Sequence, residues 1–224
     1  MGLLDDLKKQ AETAKGGDAG KTAILQSNIA ATDIALQAAS KYLSTLSAQL
    51  NVLKPVSNRV YLLDQAGEIT GLVQTDFFAD SRSRDVEGKM YVGQALLNFR
   101  CGLPKPKEIR RNFDQIEAFH KLLARVGAKY TSQVFKNERG VVTHEIFKVT
   151  GEFLVQVLFD GDHVNGEIKI TAKNLNEFGF VSMMANARDF NEAILDELTK
   201  IIIGQPSDFW KLGKRVPFTG QAPA

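Results

Sequence analysis

The spacing of apolar residues divides this chain into a helical first third and a strand-rich remainder. Leu3, Leu4, Leu7, Ala11 and Ala14 recur at helical intervals with charged residues between them, which predicts a short amphipathic helix over residues 3–15. Gly16, Gly17 and Gly20 then predict a hinge. Beyond it Leu25, Ile29, Thr32, Leu36, Ala39, Leu43, Leu46, Leu50 and Leu53 step by four and three without a slip, a seam of four heptads. A straight helix drifts about 20° per heptad against such a repeat, so the seam predicts a supercoil against a partner helix. Pro55 ends the run. At 1.5 Å per residue the helix is about 50 Å long, against a radius of gyration of about 15 Å for the rest, so it is expected to overhang its own body. The flanks of the seam (Gln26, Asn28, Asp33, Ala35, Ser40, Tyr42, Ser47 and Gln49) lack the Glu and Lys of a self-pairing zipper. Folding back on the first helix, or lying across its own sheet, is therefore the competing arrangement.

After Pro55 the period falls to two. Strands are predicted over residues 59–63, 69–79 and 90–100, with a tight turn at Gln65-Ala66-Gly67 and a polar connection over 81–88. Pro104 and Pro106 introduce a helix over 107–126, its stripe formed by Ile109, Phe113, Ile116, Phe119, Leu123 and Val126. More strands are predicted over 129–135, 141–150, 153–159, 167–172 and 178–184. The segment 153–159 is apolar on both faces except at Gln156, as a central strand should be. Asp189 and Glu192 suit a capping box for a helix over 189–203, stopped by Gly204 and Pro206. The expected fold is α+β: mainly antiparallel sheet with two packing helices, preceded by the heptad helix. The expected organisation is a helical segment (1–55), an α+β body (56–204) and a C-terminal tail (205–224) in which Phe209, Trp210, Leu212 and Phe218 dock on the body.

Composition adds little: 44% hydrophobic and 24% charged residues suit an ordinary globular core, and a net charge of +2 does not argue for nucleic acid. Lysines and arginines gather at Lys105, Lys107, Arg110 and Arg111, and again at Lys211, Lys214 and Arg215. The single cysteine, Cys101, excludes an intrachain disulfide and fits a reducing compartment, so a cytoplasmic location is expected. Residues 1–10 lack the apolar region of a secretory signal, and Asp6 occupies the position where a myristoylation motif wants Ser or Thr.

Candidate chemistry is sparse. Gly20-Lys21-Thr22 has the end of a phosphate loop, but Lys15 stands where the pattern wants glycine, and a helix precedes it rather than a strand. Asp160, Asp162 and His163 form the best metal candidate, but Val164 and Asn165 break the calcium-loop spacing, and a hairpin turn explains the same residues. His120 lies at the edge of a helical stripe and reads as a packed or rim histidine. His144 and Glu145 point to opposite faces of a strand. No cofactor is expected, and no catalytic motif is present.

Three functions compete. The first is a non-catalytic binding or assembly protein, a homo-oligomer or partner-gripping protein working through Leu25, Ile29, Leu36, Leu43, Leu46, Leu50 and Leu53. The second is a small-molecule enzyme or carrier, with Phe77, Phe78, Tyr91, Phe99, Phe153, Phe159 and Phe180 around a cavity. The third is attachment to nucleic acid or an anionic membrane through the basic clusters.

Overall fold

The computed structural model describes residues 3–63 and 68–218, the side chains of residues 3–19 excepted. The turn expected at Gln65-Ala66-Gly67, Met1-Gly2 and residues 219–224 lie outside the described residues. The chain is a mixed α+β fold with mainly antiparallel sheets. Helix α1 (Leu3–Leu53) is followed by β1 (Val56–Ser57), β2 (Tyr61–Leu62), β3 (Glu68–Ile69), β4 (Leu72–Val86), β5 (Lys89–Gly102) and β6 (Lys107–Asn112). Then come α2 (Phe113–Val126), β7 (Tyr130–Lys136), β8 (Val142–Val149), β9 (Phe153–Asp162), β10 (Glu167–Lys173) and β11 (Phe180–Asn186). Helix α3 (Glu192–Ile202), a 3-10 turn (Phe209–Lys211) and β12 (Lys214–Val216) complete it.

Seven strands form one sheet in the order β1-β4-β5-β9-β10-β11-β12, three form a second in the order β6-β8-β7, and β2 pairs with β3. Strand β9 stands at the centre of the large sheet, as its apolar faces require. Helix α1 crosses β4, β5, β9 and β10 and touches α3, so both helices lie on one face. Gly161 permits the close crossing: a Cβ there would stand 2.6 Å from the Leu36 side chain and 2.8 Å from that of Thr32. Helix α2 packs on the small sheet, where Phe119 meets Phe147 edge-on at 4.8 Å.

The heptad seam is part of this core. Ile29, Leu36, Ala39, Leu43, Leu46 and Leu50 are 0–7% exposed in the single chain. Within the single chain they lie on its own sheet, with Leu46 also beside α3. Leu25 is half-buried and Leu53 is 71% exposed, so only the middle of the stripe reaches the core. Asn28, Ala35 and Ser47 are buried beside it, which widens the stripe beyond a two-position seam. The backbone is also helical through Gly16, Gly17 and Gly20 instead of breaking there; glycine costs a helix about 1 kcal/mol and does not forbid it.

Other boundaries move for local reasons. Residues 107–112 are strand, not helix: Ile109 is buried between exposed Glu108 and Arg110, and Asn112 with Gln115 forms the capping box that starts α2. Asn191, not Asp189, caps α3 by accepting from the Ala193 N–H. The polar stretch 81–88 continues β4 and ends in a tight hairpin through Glu87 and Gly88, both at positive φ. Gly71, at φ 67°, separates β3 from β4, so the expected strand over 69–79 is divided. Part of the tail docks: Phe209 is fully buried and β12 pairs with β11, while Leu212 is 44% exposed. Among the described residues no helix is long and apolar enough to cross a membrane.

Candidate functional site

The residues singled out from sequence as metal ligands diverge. Asp160 accepts from Arg84 Nη2 at 2.8 Å and from Gln94 Nε2 at 3.2 Å. Asp162 is spent on its own turn, accepting from the backbone of Val164 and Asn165 and from Asn165 Nδ2. His163 turns inward beneath α1 and is 3% exposed. Among the described residues no three metal-binding side chains cluster.

His163 has a consequence for stability. Neither ring nitrogen has a hydrogen-bond partner among the described residues. Burial first, then the nearby Arg84 guanidinium, holds its pKa below the ordinary imidazole value, against an opposing pull from Asp33 and from backbone at Gly161 and Val92. The unfolded chain takes up this proton near pH 6.5 and the folded chain only lower. Stability is therefore intact above about pH 6.5 and falls as pH drops through the folded value. We expect urea midpoints to decline from pH 7 to 5, and His163→Phe to flatten that decline. An equal decline in both proteins contradicts this assignment.

Cys101 is fully buried, and burial pushes its thiol up to about 12, which removes it as a nucleophile. The phenylalanines expected around a cavity are mostly solid core: Phe77 stacks on Phe99 at 4.7 Å, and Phe153 and Phe159 are 1% and 0% exposed. The basic clusters are partly engaged. Lys107 donates to the Glu68 carbonyl, Arg111 lies 4.7 Å over the Phe119 ring, and Lys211 pairs with Asp208.

His120 is not alone. Its Nε2 lies 3.2 Å from Glu145, which is 3% exposed, and its Nδ1 lies 2.7 Å from the Tyr130 hydroxyl. A carboxylate on β8 and a phenol on β7 thus fix one imidazole on α2. The partner of Glu145 is His120, 25 residues away, rather than its sequence neighbour His144. This is the best acid–base constellation among the described residues, but both ring nitrogens are committed to it.

A more enclosed cleft lies elsewhere, on the face of the large sheet that the helices leave uncovered. By strand alternation Phe78, Asp80 and Arg82 share that face with Gln94, Leu96 and Asn98 and with Gln156 and Leu158. Register sets them in rows: Phe78 opposite Asn98 opposite Gln156, Asp80 opposite Leu96 opposite Leu158, and Arg82 opposite Gln94 opposite Asp160. All but Asp160 line a cleft of about 350 Å3, together with Ser81. Its floor is mixed. Leu96 and Leu158 are apolar, Gln156 is 5% exposed, and the Asn98 side-chain oxygen is buried with no partner among the described residues. On the helical side, a shallower groove of about 520 Å3 runs between α1 and α3, past Lys41, Tyr42, Thr45, Gln49, Glu192 and Thr199. There the Tyr42 hydroxyl donates to Asp196 at 2.7 Å, and burial with that bond pushes its pKa up to about 12.

Comparisons with known protein families, with curated proteins and with solved structures give no match.

Proposed function

We propose that this chain is a non-catalytic binding protein that holds an extended, amide-bearing segment, such as a peptide, in the cleft of β4, β5 and β9. The observation that carries this reading is the Asn98 side-chain oxygen, buried and unpartnered among the described residues, in the floor of that cleft. A buried acceptor without a donor costs about 1–3 kcal/mol, and a ligand N–H returns that energy by drawing the Asn98 amide, now closed to solvent, round into the cleft. Gln156 beside it offers both a donor and an acceptor, and Leu96 and Leu158 offer apolar contact to alternate side chains. A volume of about 350 Å3 matches a few residues of ligand. Helix α1 serves as the brace behind the sheet; a protein partner addressed to that helix meets the α1–α3 groove and not the buried seam. The buried cysteine agrees with the cytoplasm as the location in this proposal.

The test is selection of random peptides on the purified chain, followed by calorimetry with Leu158→Trp, which fills the cleft. Micromolar binders that Leu158→Trp loses, with its fold retained by circular dichroism, support the proposal. Binders that Leu158→Trp retains, or no binders at all, refute it. The triad of His120, Glu145 and Tyr130 favours a second reading, an acid–base enzyme. None of the clefts at the β4–β5–β9 face, the α1–α3 groove or the β9–β10 turn is lined by these residues, so it ranks below the first.

A further inference from the structure

Strand β4 has a long outer edge that its own fold does not use. Strand β1 covers only its start, with Val56 opposite Val73 and Ser57 opposite Leu72, and the Gln74 N–H reaches the Pro55 carbonyl. Next, Asn51 at the end of α1 takes both the N–H and the C=O of Phe77, acting as a one-residue strand. Beyond Phe77 no described strand lies on that side of β4. Backbone groups in a strand alternate in direction, so Ala79, Ser81, Ser83 and Asp85 follow Phe77 in facing outward. The Ser81 N–H agrees: it is taken at 2.8 Å by the carboxylate of Asp80 rather than by β5. The open ladder from Ala79 to Asp85 is roughly 24 Å long. It contains neither proline nor lysine; it does carry charges and a bulge in its pairing with β5 between Arg82 and Ser83, where β5 holds the extra residue Gly93 and β4 keeps its alternation.

The charges along this edge are self-complementary. Asp80 and Arg82 stand on one face two residues apart, and neither forms an ion pair among the described residues. A two-fold antiparallel pairing must bring residues of equal parity opposite each other to keep side chains on a common face. Centred on Ser81, it sets Asp80 against Arg82 of the second copy twice over, and exposed Phe78 against Arg84. Centred on Asp80 or Arg82, it sets that charge against itself. Centred on Ser83, it opposes Arg82 with Arg84. Centred on Ala79, it sets Phe77, whose backbone Asn51 already holds, opposite Ser81 in the middle of the open ladder, whereas centred on Ser81 that backbone is met only at the ladder's end, opposite Asp85.

We propose that the chain forms a two-fold dimer by antiparallel pairing of β4 with β4 of a second copy, Ser81 opposite Ser81. The two large sheets become continuous, and the Asp80–Arg82 bridges form a shared wall between the two clefts. On pairing, the Asp80 carboxylate leaves the Ser81 N–H to the partner backbone and turns to the partner guanidinium. This arrangement does not depend on what the clefts hold.

The experiment uses the full chain. Opposed residues in an antiparallel pair have Cα atoms about 4.5–5.5 Å apart, within disulfide reach. Ser81→Cys is therefore expected to give a covalent dimer under mild oxidation, while the wild type, whose only cysteine is fully buried, gives none. Light scattering after gel filtration should show Asp80→Arg and Arg82→Asp each weakening dimerisation roughly tenfold, and the double exchange restoring it. Both the covalent dimer and the rescue are required. A monomeric wild type at 100 µM scale with no cross-linking of Ser81→Cys overturns the proposal. A dimer of equal strength in all charge variants does so as well, since it would join through another surface. All three positions are exposed, and unchanged thermal unfolding of each variant serves as the check on folding.

Discussion

Replacing Leu43 by aspartate is expected to unfold the chain, not merely to separate copies of it. Leu43 is fully buried between Ala39 and Leu46 on the face of α1 that lies on β4 and β5. An unpaired carboxylate there has no hydrogen-bonding environment, and its burial costs several kcal/mol, comparable with a typical total stability of about 5–15 kcal/mol. The milder Leu43→Ala leaves a cavity and should cost about 2–5 kcal/mol. Urea unfolding at a single protein concentration reads the second, and far-ultraviolet circular dichroism reads the first. Were the seam an interface between chains, Leu43→Asp would instead leave a folded particle of lower mass.

His120→Ala is expected to have the next largest effect. It removes the group facing a carboxylate that is 3% exposed on β8, with Phe147 packed against the same imidazole at 4.8 Å. Stranding a buried charge costs about 3 kcal/mol, which for a chain of this size lowers Tm by about 6–12 °C. Tyr130→Phe removes a single hydrogen bond and should cost about 1 kcal/mol. Replacing both His120 and Glu145 by leucine should recover much of the loss, because no charge is then left buried. Thermal unfolding of the two single variants and the double variant checks this. A His120→Ala protein as stable as the wild type would mean that solvent alone satisfies Glu145.

The sequence patterns that predicted the fold and those that misled have the same origin. Alternation at Ala95, Leu97 and Phe99, and apolarity on both faces from Phe153 to Phe159 except at Gln156, located the sheet correctly because burial acts on every second residue or on all of them. The heptad steps from Leu25 to Leu53 showed that α1 buries one stripe, but periodicity does not say against what. The buried small and polar neighbours Asn28, Ala35 and Ser47 were the sign of a broad sheet beneath, and a 3.5-residue count passes over them. Likewise Ile109, Phe113 and Ile116 keep helical spacing, yet Phe113 is 67% exposed and Ile109 belongs to a strand. The cleft was hidden for another reason. Its rows join Phe78, Asn98 and Gln156 through strand register, and no spacing within one strand reveals that juxtaposition. Gln156, the one polar residue in the run from Phe153 to Phe159 of the central strand, was its local trace. The contact of His120 with Glu145 was equally out of reach, since it depends on how α2 lies on the small sheet.

Hydrogen exchange of the full chain at two protein concentrations, read peptide by peptide, tests most directly whether α1 belongs to its own core and leaves the far sheet face for binding. Residues 29–50 are expected to show strong protection that does not change on dilution, with concentration-dependent protection confined to the edge of β4 around Ser81. Protection of residues 29–50 that disappears on dilution would place the partner of the seam in another chain and contradict this expectation.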